Sequence, residues 1–275
     1  TSTWETSMNV KFLTAFVKNF ELSKIFIGRE ISTKYKGSQL GLTWTIVNPL
    51  IMLSVYTLVF SQIFQARWGG DADPAKPMNF ALNLFAGLIV FNVFAESATR
   101  APTLITSNPN YVKKIKFPLH ILGEMVVGSS MFHALVGFGI LLTAKLITEN
   151  NIPKTVLLLP LVLIPLMLMC LGLVWLLATI GVFIKDINQI VTAIVSMLMF
   201  LSPIFYPASA LPSGLYWMAA LNPLAKIIEQ TRQCVIVGIA PNASQLIMQT
   251  VIGLAWCEIN YRTLKKLEKS FGDVL

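Results

Sequence analysis

The stretch TVLLLPLVLIPLMLMCLGLVWLLATIGVFI, residues 155–184, contains no charged side chain. A bilayer core about 30 Å thick requires about 20 apolar helical residues, so this stretch is long enough to cross it. Pro160 and Pro165 would interrupt a soluble helix, but membrane helices tolerate proline where neighbouring helices satisfy the freed carbonyls. The stretch therefore predicts a membrane-spanning helix.

The whole chain has the composition of an integral membrane protein. Of its 275 residues, 55% are hydrophobic and 12% are charged, and the mean hydropathy is +0.69. One soluble core could not bury that much apolar surface. The net charge of +8 comes from basic residues that flank apolar runs, a distribution that argues against a nucleic-acid partner. The three widely spaced cysteines suggest neither a disulfide framework nor a metal site.

Other apolar stretches have a similar length, and together they predict an all-α integral membrane fold with six transmembrane helices. The predicted spans are residues 42–64, 80–98, 121–146, 155–184, 187–206 and 243–260. Most of the 21 Lys and Arg residues face the cytoplasm if both termini are placed there, as the positive-inside rule requires. We therefore expect a cytoplasmic segment 1–41, a membrane domain 42–260 and a basic cytoplasmic tail 261–275.

Two further segments are predicted to lie at the membrane without crossing it. Before the first span, Leu13, Phe16 and Phe20 recur at helical spacing opposite Lys11 and Lys18, which predicts an amphipathic helix in the interface plane. Between the last two spans, residues 207–242 are too apolar for an ordinary loop and too interrupted by proline for one helix. We interpret this segment as re-entrant. A solvated helix and a simple extracellular hairpin are the respective alternatives.

No motif on this chain supplies catalytic chemistry. Residues 123–130, GEMVVGSS, resemble a phosphate-binding loop but lack its lysine and lie within an apolar stretch. No Ser/His/Asp or paired-carboxylate arrangement is evident. The predicted spans contain few ionisable groups, chiefly Glu96, Glu124 and His133, which disfavours a proton-coupled carrier. We expect a non-enzymatic transport subunit that carries no metal and no cofactor.

Aromatic residues gather along the first, second and fifth spans and the re-entrant segment. Most are expected to pack or to lie in the interface belt, and the rest could line a path on which sugar rings slide. The channel-lining candidates are Trp44, Tyr56, Phe60, Phe200, Phe205, Tyr206 and Trp217.

Several stretches resemble a known family. GREISTKYKGSQLGLTWTIVNPLIMLSVYTLVFSQIF (28–64), SNPNYVKKIKFPLHIL (107–122), GVFIKDINQI (181–190), FLSPIFYPASALP (200–212) and LNPLAKIIEQTRQCVIVG (221–238) occur in the order found in type 2 ABC exporter permeases of the polysaccharide family. The chain is most similar to members that export lipopolysaccharide O-antigen, with capsule and teichoic acid permeases as near relatives. It has Lys185 where the family usually has Arg, and Glu30 where it usually has Asp.

This resemblance implies a homodimer in the bacterial inner membrane, paired with two copies of a soluble ATPase that holds ATP and Mg. The implied cargo is a lipid-pyrophosphate-linked glycan. The segment Asn108–Pro118 is expected to couple to the ATPase, with the loop around residues 184–188 as a smaller contact. The residues assigned to coupling are Asn108, Asn110, Tyr111, Lys113, Lys114, Lys116, Phe117, Pro118, Lys185 and Asp186. Those assigned to the cargo headgroup at the cytoplasmic entrance are Arg29, Lys34, Tyr35 and Lys36.

Two rival functions remain open at this point. A secondary carrier or channel would need no ATPase, and copurification of a soluble ATPase would distinguish the two classes. A related permease for a drug or small lipid would share the architecture and differ only in cargo.

Overall fold

A computed structural model describes residues 11–63, 78–113, 117–207, 212, 214, 217 and 221–274. Within these residues the regular structure is helical, without strands. The helices are α1 (Lys11–Lys18), α2 (Phe20–Lys34), α3 (Trp44–Tyr56), α4 (Met78–Arg100), α5 (Pro109–Lys113), α6 (His120–Glu149), α7 (Leu159–Phe183), α8 (Ile187–Leu201), α9 (Pro223–Arg232), α10 (Ala243–Leu267) and α11 (Phe271–Val274).

Four helical segments of the described chain are long and apolar enough to cross a bilayer. They are Gly41–Phe60, Phe80–Thr103, His120–Glu149 and Lys154–Phe183, and they match the first four predicted spans. The fifth predicted span contains α8, whose 15 residues are shorter than a bilayer core requires. The sixth lies within α10, which has 25 residues but includes Gln245, Gln249 and Glu258. The all-helical membrane fold is therefore confirmed, while the number of six spans stays a prediction.

Helix α4 occupies the centre of the bundle. It contacts α3, α6, α7, α8 and α9, and nearly all of its side chains from Phe80 to Phe94 are buried. Helix α3 packs on α4 and α6 along one side only and leaves Ile46, Leu50 and Val55 exposed. Exposed apolar residues on a membrane helix face lipid or another protein chain, so α3 is peripheral in the single chain.

The most extensive helix pairing joins α7 to α10. Small residues allow the two helices to approach closely: the indole of Trp256 lies where a Cβ on Gly172 would stand, and Leu168 lies against Gly253. Membrane helices associate through such close packing because lipid provides no hydrophobic drive between them. Pro160 lies in the first turn of α7, where a missing N–H breaks no helical bond, and α7 continues past Pro165.

The N-terminal segment forms two consecutive helices that meet at Asn19. Leu13 and Val17 of α1 and Phe20 at the start of α2 are exposed, and so are Lys11 and Lys18, so the placement of α1 in the interface plane stays a prediction. Phe12 is instead buried, with its ring edge-on to Trp175 at 6.1 Å. Its backbone N–H donates to Glu258 Oε2 of α10 at 3.0 Å, so α1 is attached to the bundle through residues outside the predicted apolar face.

The predicted re-entrant segment is described only in part. From Leu221 it contains α9, followed by a π-helical turn, Gln233–Val237, that ends at Gly238. Gly238 has φ of 86°, a left-handed conformation that glycine adopts without steric cost. The Asn242 side chain then accepts a hydrogen bond from Gln245 N and caps α10.

Candidate functional site

The two segments assigned to ATPase coupling lie at the same end of the bundle. Gly181, near the end of α7, packs directly on the backbone carbonyl of Pro102, which follows α4 and precedes the coupling segment. A side chain at position 181 would overlap that carbonyl. The C-terminal helix α11 contacts both α5 and α7, and its buried Phe271 packs edge-on to Phe183 at 5.9 Å. These contacts hold the loop at Lys185 beside the coupling segment.

An aromatic cluster seats the coupling segment on α2. Tyr111 and Phe117 stack with ring centroids 4.6 Å apart, and Phe26 of α2 lies 6.0 Å from the first and 5.0 Å from the second. The Asn108 side chain donates to Leu104 O at 2.9 Å and starts the turn before α5. The segment is therefore anchored by its aromatic residues, which leaves its polar residues available at the surface.

The coupling residues divide into an anchored and an exposed set. Asn108, Tyr111, Phe117 and Pro118 are half-buried, whereas Asn110, Lys113, Lys185 and Asp186 are exposed. Lys114 and Lys116 lie outside the described residues. Exposed charges beside an anchored segment favour electrostatic recognition of a partner.

A network of charged residues ties α2 to α4 and α6. Arg100 donates to Glu30 on α2 and lies 3.4 Å from Glu96 on its own helix. Lys34 Nζ lies 2.8 Å from Glu96 Oε1. The network extends into α6 through His133, whose Nε2 lies 3.2 Å from the Tyr35 hydroxyl and whose Nδ1 lies 4.0 Å from Glu96 Oε2.

This network changes the interpretation of the predicted cargo entrance. Lys34 and Tyr35 have partners on α4 and α6, so the charge of Lys34 is already compensated by Glu96. Lys36 is exposed, and the guanidinium of Arg29 lies 5.5 Å from the ring centroid of Phe26. A polar cleft of about 220 Å³ brings Arg29 together with Arg100, Asn108 and Tyr111. The predicted entrance and the coupling segment are thus neighbours.

Glu124, like Glu96 a carboxylate within the predicted spans, is paired with Ser23. Glu124 is buried and accepts a hydrogen bond from Ser23 of α2, and His120 lies 3.8 Å away on the preceding turn. Within the described residues, no group of three or more potential ligands could hold a metal ion. The hydrogen bond between Ser23 and Glu124 joins α2 to α6.

Most of the candidate channel aromatics form one continuous group. Phe60 lies 6.4 Å from Tyr56 and 6.3 Å from Phe205, which stacks on Phe200 at 5.8 Å. The Tyr206 hydroxyl donates to Phe200 O at 3.2 Å and completes the group. Trp44 lies apart and donates to Ser38 Oγ at 2.8 Å, and Trp217 lines a separate apolar cavity with Phe94.

A buried arginine, absent from the sequence-based candidates, joins three parts of the fold. Arg232 at the end of α9 donates from Nε to Asn83 O at 2.9 Å, from Nη1 to Pro203 O at 2.5 Å and from Nη2 to Ile204 O at 2.8 Å. Gly87 provides the space, because a Cβ there would lie 2.6 Å from Nη2. The sequence signal that could have indicated this role is weak: Arg232 lies in a segment predicted to be at membrane depth, where an ionisable residue is unfavourable unless it has partners, but its neighbours Thr231 and Gln233 are polar.

The chain is similar to one known protein family and to several named proteins. The family model described as ABC-2 type transporter matches residues 21–236. A Klebsiella pneumoniae protein named O-antigen export system permease protein RfbA is 23% identical over 271 residues, which cover 98% of this chain and 100% of that protein. A Myxococcus xanthus protein of the same name is 26% identical over 74% of this chain and 75% of its own length. The polysialic acid transport protein KpsM of Escherichia coli is 24% identical over 80% of this chain and 84% of its own.

Proposed function

This chain belongs to the ABC-2 type transporter family, and from that premise we propose that it is the permease subunit of an ATP-driven exporter of lipid-linked O-antigen. The relatives named as O-antigen permeases support this cargo, because they align over most of both chains. The proposal includes six spans with cytoplasmic termini, a re-entrant segment before the last span, and a homodimer in the bacterial inner membrane. ATP and Mg are held by two copies of a soluble partner.

The observation that carries the proposal is the common position of the two coupling segments. The exposed Lys113 on α5 and the exposed Lys185 and Asp186 after α7 present charge at one end of the bundle. A partner that closes on ATP can therefore push on both segments at once. The chain offers the partner a surface there, and hydrolysis takes place on the partner.

The contacts of the coupling segment supply a route for that push. The stacked Tyr111 and Phe117 transmit it to Phe26 and so to α2, while Pro102 transmits it to Gly181 on α7. The bonds of Arg100 to Glu30 and Glu96 keep α2 and α4 together as they move. Helices joined in this way shift as a rigid group against the rest of the bundle.

The proposed path for the glycan follows α8 and the aromatic group. Exposed polar side chains repeat along α8 at Gln189, Thr192 and Ser196, beside the exposed ring of Phe200. Polar groups that face away from the bundle at membrane depth are favoured where they meet a polar cargo or water. Aromatic faces bind the apolar faces of sugars without the directional bonds that would hold them. Arg29 and Lys36 are the basic residues available to a pyrophosphate at the cytoplasmic entrance.

Charge reversal at the coupling surface tests the proposal. Lys113→Glu and Lys185→Glu, each made in the full chain, should lower copurification of the ATPase by about tenfold or more, because like charges across an interface are strongly unfavourable. O-antigen on the cell surface should fall in parallel. The matched control is Lys154→Glu. Lys154 is exposed and precedes the start of α7, at the end of that helix away from Lys185, so this variant should retain the ATPase and export.

Two results would contradict the proposal. One is uphill movement of lipid-linked glycan by the chain alone in liposomes, without an ATPase. The other is normal export by Lys113→Glu together with Lys185→Glu. If the surface polysaccharide lost is polysialic acid rather than O-antigen, the cargo is the one named for KpsM, and the transport class still stands.

A further inference from the structure

An apolar cavity of about 470 Å³ lies between α7, α10 and the start of α9. Pro165 and Met169 of α7 form one wall of the cavity, and Ile252 and Trp256 of α10 form the second. Leu221, just before α9, lies on the third wall. The volume is in the range of sites that hold small amphiphilic molecules. The walls come from the predicted fourth and sixth spans, so the cavity lies at membrane depth.

Two polar side chains interrupt this apolar lining. Gln249 on α10 has both amide atoms buried, and neither forms a hydrogen bond within the described structure. An amide carries two N–H donors and an acceptor oxygen, and burial of these groups without partners is unfavourable, the more so where no water is present. A molecule in the cavity that offers an acceptor and a donor would satisfy them.

The second polar side chain is Lys226, one turn into α9. It is half-buried and forms no salt bridge with any described residue. The nearest carboxylate in sequence, Glu229, lies 3.4 Å from the Gln233 amide. An uncompensated ammonium beside an apolar cavity favours a ligand that joins an anionic group to a hydrocarbon chain.

We propose that this cavity binds one anionic glycerophospholipid of the phosphatidylglycerol type. An acyl chain fills the space between Met169 and Ile252, the phosphodiester lies at Lys226, and the Gln249 amide bonds to an ester carbonyl or a headgroup hydroxyl. A free phosphate would leave the apolar walls empty, and a zwitterionic lipid would place a second cation near Lys226. The site is independent of the proposed transport function.

Lipid retention measures the site directly. The full chain is reconstituted into nanodiscs with equal amounts of phosphatidylglycerol and phosphatidylcholine, extracted in mild detergent and examined by native mass spectrometry. The unmodified chain should retain one phosphatidylglycerol, preferred about fivefold or more over phosphatidylcholine, the preference that one basic residue near an anionic headgroup supports. Lys226→Gln should abolish the preference, and Gln249→Leu should lower retention of both lipids. The control is Lys154→Gln, an exposed lysine outside the cavity, which should behave as the unmodified chain.

Several outcomes would overturn the proposal. Equal retention of both lipids by the unmodified chain would show that the cavity does not select an anionic lipid. An unchanged preference for phosphatidylglycerol in Lys226→Gln would show that Lys226 does not bind the phosphodiester. Retention of a polyprenyl-linked molecule instead would assign the cavity to cargo. Should Lys226→Gln fail to fold, the unmodified chain provides a second measurement: its anionic preference should fall as salt is raised, because screening weakens the ammonium–phosphate contact.

Discussion

At the scale of single residues, Arg232 joins α9 to α4 and to the bend after α8. Its three guanidinium bonds end on carbonyls of α4 and of the bend after α8, and the side chain is 2% exposed. Arg232→Met removes these donors and leaves buried carbonyls without them, so the free energy of unfolding should fall by about 2 kcal/mol or more. Thermal unfolding in detergent, followed by size-exclusion fluorescence, measures the loss.

A matched arginine provides the control for this substitution. Arg262 pairs with Glu258 one turn earlier on α10, and its side chain is 57% exposed, so Arg262→Met should change stability little. Gly87→Ala tests the same three hydrogen bonds of Arg232 without changing the arginine, since the new methyl group would displace the guanidinium. Equal melting temperatures for Arg232→Met and Arg262→Met would show that the three hydrogen bonds of Arg232 do not stabilise the fold.

At the scale of helices, the contact between α7 and the chain after α4 joins the coupling segments. Gly181→Ala would drive a methyl group into the Pro102 carbonyl, a backbone atom that cannot rotate away. We expect the free energy of unfolding to fall by about 1–3 kcal/mol, the usual effect of overpacking. Stimulation of the partner's ATPase activity by cargo should fall with it, and both are measured on the purified complex.

Gly139 offers the same substitution in open space. It lies within α6, and among the described residues no atom outside its own helix backbone lies within 4 Å of the position of its Cβ, so Gly139→Ala should leave stability equal or slightly raised through higher helix propensity. If Gly181→Ala behaves like Gly139→Ala, the helix contact is looser than the structure indicates, and the coupling segments do not depend on it.

The helices themselves were largely predictable, and their contacts were not. The predicted spans 121–146 and 155–184 agree closely with the segments His120–Glu149 and Lys154–Phe183, because bilayer thickness dictates the length of an apolar run. The burial of Phe12 was not predicted, since it depends on Trp175 and Glu258, both distant in the chain. Local periodicity carries no information about such partners.

The candidate site shows the same limit. The channel-lining candidates Tyr56, Phe60 and Phe205 contact one another, as large apolar rings do wherever helices leave room for them, and their role in lining a channel stays a prediction. The charge of Lys34 suggested a free cation for cargo, yet Glu96 lies 62 positions further along the chain and compensates it. Pairings of this kind arise from the packing of α2 on α4 and α6, which no single sequence segment specifies.

At the scale of the whole molecule, the single chain leaves α8 poorly covered, as it does the peripheral α3. Helix α8 exposes Ile190, Ile194 and Met197 on one side, and Thr192 and Ser196 on another. A helix with both apolar and hydroxyl-bearing exposed faces at membrane depth is best accommodated where one face meets a second protein chain and the other meets a polar path. The proposed homodimer would place two α8 helices near its twofold axis.

A cysteine scan tests this arrangement, because Cys170, Cys234 and Cys257 are all buried and give a low background. Ile194→Cys, on the exposed apolar face of α8, should form a covalent dimer when membranes are treated with copper phenanthroline, since residues near a twofold axis meet their own copies. Val251→Cys, on the exposed face of α10, should remain monomeric under the same treatment. Equal crosslinking at both positions would indicate random collision, and crosslinking only at position 251 would move the dimer axis from α8 to α10.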